Sequence, residues 1–115
     1  MTGTRIDEDA RRQFESALRS EALPRIDAYL PDCASVLYAD TLEELVIIEL
    51  EYRWKNGNDT DKRSGSKLGE YLRKFPVLME PQTVQRLIDE EMLIRTDQGS
   101  RPNPEEYRCW LSRHT

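Results

Sequence analysis

Residues Glu49 to Gly57 read ELEYRWKNG, and the placing of their charges decides how this chain folds. On a wheel with helical period, Leu42, Val46, Leu50 and Trp54 line one flank of an apolar stripe, and Leu45, Ile48 and Tyr52 line the other. Glu49 and Arg53 project between the two flanks. They stand four apart with the glutamate on the amino-terminal side, the favourable order for a helical ion pair. On a solvent face such a pair is worth only ~0.2–0.5 kcal/mol. Inside an apolar arc the charges must be satisfied, because a buried charge without partners costs several kcal/mol. The pair is therefore read as a structural fastener to the turn and short helix that follow.

The same design recurs downstream in EMLIRTDQG, Glu91 to Gly99. Leu45, Glu49, Arg53 and Gly57 match Leu87, Glu91, Arg95 and Gly99, helix against helix. Each glycine is followed by a loop and a short helix bearing a tyrosine: KLGEYLRKFP with Tyr71, and NPEEYRCWL with Tyr107. PRIDAYLP, with Tyr29, is a partial copy in the first third. The expected unit is a long helix, a turn and a short helix.

Outward from these stretches, helical spacing dominates and period-two alternation is absent. A first helix is expected from Asp7 to Ser20, with Phe14, Ala17 and Leu18 inward and Asp7, Glu8 and Asp9 at its positive end. Pro24 opens a short second helix that Pro31 stops. Asp40 or Thr41 caps a third helix reaching Lys55, a fourth runs from Ser66 to Lys74, and Pro81 starts a fifth that Gly99 ends. Asn103 caps the last, with Tyr107, Trp110 and Leu111 inward. The expectation is an all-α fold, a compact array of about six helices. Residues 1–115 form one domain, with a partial unit at 7–32 and full units at 40–76 and 80–113.

Composition narrows the function classes. The 115 residues carry 17 Lys+Arg against 22 Asp+Glu, a net charge of -5. Phosphate neutralisation needs a basic surface, so nucleic acid is not the expected partner. No run approaches a membrane span, and the start MTGTRIDEDARRQF lacks a signal-peptide apolar core, which points to the cytoplasm. Cys33 and Cys109 are read as two reduced thiols, without the spacing of a zinc site.

Chemistry-bearing patterns are weak. Gly65, Ser66 and Lys67 lack the earlier glycine of a phosphate loop. Asp59 and Asp61 sit in a polar loop, but Arg63 occupies a position that a calcium loop gives to an oxygen ligand. His114 stands alone near the end, so no nucleophile–base triad assembles. General acid catalysis by Glu49 or Glu91 would need a raised pKa, and the neighbouring Arg53 or Arg95 opposes that. Neither catalytic residues nor cofactor or metal are expected. Trp54 and Trp110 read as core residues, with a partner anchor as the second reading.

LEELVIIELEYRWKNG, KLGEYLRKFP and RPNPEEYRCWL together resemble the non-catalytic helical region at the amino terminus of planctomycete serine/threonine protein kinases. The resemblance runs from Phe14 to Leu111. It is densest at Glu49, Tyr52, Arg53, Gly57, Glu70, Tyr71, Phe75 and Pro76, and again at Pro102, Pro104, Glu105, Glu106 and Tyr107. The loop after Gly57 is longer than that pattern carries, and CWLSRHT replaces its ending. No Gly-rich loop, strand lysine, HRD or DFG signature is present in this sequence. The resemblance implies a regulatory or protein-interaction module whose partner is a protein, with the kinase domain of the same polypeptide as the first candidate. The alternatives are a stand-alone helical adaptor and a small enzyme using the Glu49 and Glu91 carboxylates.

Overall fold

The computed structural model describes residues 6–20, 25–32, 34–56, 68–99 and 104–108. Among these residues every regular element is helical. There are four α-helices: α1 (Glu8–Arg19), α2 (Tyr38–Asn56), α3 (Leu68–Lys74) and α4 (Pro81–Asp97). Three 3-10 turns accompany them: η1 (Ile26–Ala28), η2 (Pro76–Met79) and η3 (Pro104–Tyr107). Contacts divide the chain into two compact units, Met1–Glu49 and Leu50–Thr115, with the boundary inside α2.

In the first unit, α1 starts where its acidic cluster predicts. The Ala10 N–H donates to Asp7 Oδ1 at 3.1 Å, so Asp7 caps the helix. Ala10, Phe14 and Leu18 are buried at four-residue spacing, while Ala17 is only half-buried. Glu8, Arg11, Glu15 and Arg19 form a ladder of ion pairs along one side. The second expected helix shrinks to the single turn η1. Pro24 and Pro31 bracket too few residues for an α-helix to repay its nucleation. Its Tyr29 packs edge-on against Phe14, ring centroids 5.7 Å apart.

Helix α2 begins at Tyr38, ahead of the expected cap at Asp40 or Thr41. Thr41 is fully buried, and its hydroxyl acts at longer range, where Oγ1 accepts the Asp7 N–H at 2.8 Å. A residue type that signals a helix start thus holds the start of a different helix. Further along, Leu42, Leu45, Val46, Leu50 and Trp54 are completely buried, whereas Ile48 and Tyr52 are only half-buried.

In the second unit, α3 buries Leu68, Tyr71 and Leu72. Pro76 stops it as expected, but then opens η2, which buries Leu78 and leads into α4 with Pro81 at its first position. Helix α4 buries Thr83, Val84, Leu87, Ile88, Glu91, Ile94 and Arg95 on one stripe. Gly99 closes it at φ 79°, the left-handed conformation that glycine adopts without strain. Of the last expected helix the described residues show the 3-10 turn η3 and, after it, Arg108 in helical conformation; the rest of its span lies outside them. Pro24, Cys33, Gly57, the loop with Asp59, Asp61, Arg63, Gly65, Ser66 and Lys67, and Pro102, Asn103, Cys109, Trp110, Leu111 and His114 lie outside the described residues.

Thr41→Val keeps the shape of the side chain but removes the acceptor for the Asp7 N–H. It is expected to lower unfolding free energy by about 1–2 kcal/mol in urea titrations, and Thr41→Ser to recover most of that. An unchanged midpoint for Thr41→Val would contradict the assignment.

Candidate functional site

The second unit gathers three of the residues singled out in the sequence, Trp54, Arg95 and Tyr107, around a fourth, the buried carboxylate of Glu91. Glu91 is fully buried on α4. Its Oε1 accepts the Tyr107 hydroxyl at 2.5 Å, and its Oε2 accepts the indole N–H of Trp54 at 3.2 Å. Arg95, one turn further along α4 and 5 % exposed, donates from Nη1 to the Tyr107 oxygen at 3.2 Å. Its guanidinium also lies 4.7 Å from the Trp54 ring centroid, a cation–π contact. The end of α2, the middle of α4 and the turn η3 are therefore tied at one point.

Local sequence explains how each side chain arrives there. Glu91 and Arg95 share a face because four residues make slightly more than one turn. Trp54 continues the Leu42, Val46, Leu50 spacing and so enters the interior. Read as a possible partner anchor, Trp54 is instead a core residue at zero exposure, with its polar atom engaged. Its counterpart Trp110 lies outside the described residues.

Arg53 makes a related contact at lower burial. Its Nη1 donates to Glu70 Oε2 at 2.7 Å and to the Tyr71 hydroxyl at 3.1 Å, both on α3. Its guanidinium carbon lies 5.8 Å from the Tyr71 ring centroid. Glu49 is half-buried and engaged in an interaction of its own. Two arginines on long helices thus hold two tyrosines on short elements, Arg53 with Tyr71 and Arg95 with Tyr107. Tyr29 differs, being half-buried with its ring against Phe14. Glu70, the exposed carboxylate opposite Arg53, has no site role on sequence grounds alone. Its signal is the acidic residue directly before the tyrosine, repeated as Glu106 before Tyr107.

Burial and charge set the protonation states. Burial pushes the Tyr107 phenol well above its ordinary value, and the hydrogen bond to the anionic Glu91 pushes it further, with Arg95 opposing. For Arg53, burial favours the neutral form, but the hydrogen bonds to Tyr71 and Glu70 win and raise it above the usual arginine range. Both groups are thereby held in the form they carry at neutral pH.

Elsewhere the surface offers shallow relief. An open depression of about 370 Å³ on α4 is lined by Asp89, Met92, Leu93 and Thr96, with Leu93 62 % exposed. Among the described residues no group of three His, Cys, Asp or Glu side chains is placed to hold a metal ion, and no helix is long and apolar enough to cross a membrane. Comparisons with known families, curated proteins and solved structures find no match for this chain.

The two arginines separate by burial. Arg95→Ala removes a charge enclosed with Glu91 and is expected to cost about 3–5 kcal/mol. Arg53→Ala breaks a pair whose carboxylate is 63 % exposed, and is expected to cost no more than about 1 kcal/mol. Chemical denaturation of both variants checks the ranking, and equal losses would contradict it.

Tyr107 also fixes a pH dependence. Its folded-state pKa lies above the unfolded value of about 10, so the unfolded chain releases the proton first as pH rises. Its contribution to stability is complete below about pH 10 and is lost above it. Tyr107→Phe is expected to cost about 1–3 kcal/mol at neutral pH, because the buried carboxylate loses a donor. It should also flatten the alkaline fall in melting temperature. An equally steep alkaline fall in Tyr107→Phe would remove Tyr107 as its source.

Proposed function

We propose that this chain is a non-catalytic interaction or regulatory module of a bacterial serine/threonine protein kinase, built from a repeated unit of long helix, turn and short helix. The observation that carries the non-catalytic reading is the enclosure of Glu91. Its two oxygens are engaged by Trp54 and Tyr107, and the carboxylate has no exposed surface for a substrate to meet. A general acid or base must reach the proton it transfers. The ionisable pair on α4 therefore acts on the fold.

The repeated unit is supported by the matching contacts of Arg53 with Tyr71 and of Arg95 with Tyr107. In both, an arginine four residues beyond a glutamate grips the tyrosine of the next short element. Arg53, Tyr71 and Tyr107 are also among the residues on which the resemblance to the planctomycete kinase leader rests. A module of this kind works by binding: an exposed helical face engages the kinase domain or a scaffold and shifts its activity or location.

The test has two steps. The reading frame after Thr115 is expected to encode a kinase Gly-rich loop, strand lysine and HRD and DFG motifs. Titrating the chain into that kinase domain is then expected to give saturable binding and a changed rate of phosphorylation. Absence of kinase motifs would defeat the kinase assignment and leave the stand-alone adaptor. A kinase domain that neither binds the chain nor changes rate would defeat the regulatory role.

A further inference from the structure

We infer that the outward side of α4 is an acidic docking face with an apolar centre, and that its occupant is the basic corner between α3 and η2 of a second copy, joined head to tail. The contact needs no kinase domain and stands apart from the kinase-module reading.

Leu93 is 62 % exposed, and helical spacing puts Asp89, Glu90, Thr96 and Asp97 at its nearest positions, one turn back and one turn on. A lone exposed leucine is ordinary on a protein surface. What sets this one apart is its surroundings. With Asp89, Met92 and Thr96 it lines the open depression, and the Thr96 hydroxyl is already spent on the Met92 carbonyl at 2.8 Å. Asp89 accepts a side-chain N–H from Gln85 at 3.0 Å, and none of the three carboxylates has an ion pair among the described residues. Asp97 is the last residue of the helix, at its negative pole, where a carboxylate is unfavourable. The cation of α4 on that side, Arg86, stands two turns before Leu93 and donates to Thr83 Oγ1. Apolar area in water and uncompensated negative charge therefore coincide, and a partner that brings cations beside an apolar group relieves both.

The chain carries such a group itself. Val77, 48 % exposed, is the other large apolar residue left open among the described residues of this unit. It follows Arg73 and Lys74, the last two residues of α3, across the stop at Pro76. Both cations are exposed, and neither has an ion pair among the described residues; Lys74 Nζ lies 5.5 Å from the Phe75 ring centroid. With exposed Glu80 counted against them the corner stays positive, as the α4 face stays negative with Arg86 counted. The two surfaces are opposite in charge and alike in their apolar centre. Because they lie on different elements the contact is heterologous, and each copy added leaves one surface of each kind open for the next.

Sedimentation equilibrium of the full chain tests this. The weight-average mass is expected to rise past that of a dimer as concentration approaches about 1 mM. Salt at about 0.5 M is expected to move that rise to several-fold higher concentration, because surface charges are screened. Leu93→Arg and Val77→Asp change exposed side chains, and circular dichroism checks that both variants stay folded; where one does not, Leu93→Gln or Val77→Ser takes its place. Each variant alone is expected to remain monomeric. Mixed, they are expected to give a one-to-one dimer and nothing larger, since one keeps the basic corner and the other the acidic face. Monomers at every concentration of the parent chain, or in the mixture, overturn the proposal. Association of Val77→Asp alone overturns it too, because the α4 face would then pair with itself. An association that salt leaves unchanged overturns the charge pairing.

Discussion

The second unit depends on one constraint: a carboxylate that is entirely out of water must have both oxygens satisfied. Desolvating Glu91 costs several kcal/mol, and no single neighbour offsets that. The donors come from places far apart in sequence. Trp54 is 37 residues upstream and Tyr107 is 16 residues downstream. Sliding α2 by one residue would turn the indole away, and releasing η3 would take the phenol donor from Oε1. An apolar replacement could match the stability of the cluster, since packed hydrophobic residues do so elsewhere. It could not match the way the cluster ties three elements to a single register.

The two arginines show how environment outweighs identity. Arg53 and Arg95 occupy corresponding positions in ELEYR and EMLIR, and each holds the tyrosine of a following short element. Arg53 lies near the surface, with its side chain 24 % exposed and its ion-pair partner Glu70 at 63 %. Water screens that pair, and little free energy depends on it. Arg95 is enclosed and stacked on an indole. The same letters describe a surface clasp in one place and a buried tie in the other, and sequence spacing alone does not separate them.

What was legible in the sequence follows the range of the interactions. Helical period, the acidic start of α1, Pro81 at a first position and Gly99 past a helix end are all local signals, and each stands where the sequence placed it. Thr41 misled because its type signals a cap, while its hydroxyl serves a backbone amide 34 residues away. Trp54 was ambiguous for the same reason, since nothing within a few residues reveals that its indole faces Glu91. At η1 periodicity predicts a helix because it marks which side faces in, whereas the closeness of Pro24 and Pro31 limits how many turns the segment can make.

At two of the short elements, α3 and η3, a tyrosine meets an arginine of a long helix. The described residues of α3 and η3 number seven and four, and tertiary contacts add hold to what so few backbone hydrogen bonds return. Tyr71 and Tyr107 supply that hold with one side chain, the ring buried against the long helices and the hydroxyl reaching a guanidinium. Phenylalanine would bury as much ring but could not mediate between opposite charges. The hydroxyl can, because it is donor and acceptor at once. A chain with 34% charged residues thereby uses charge inside the fold as an adhesive.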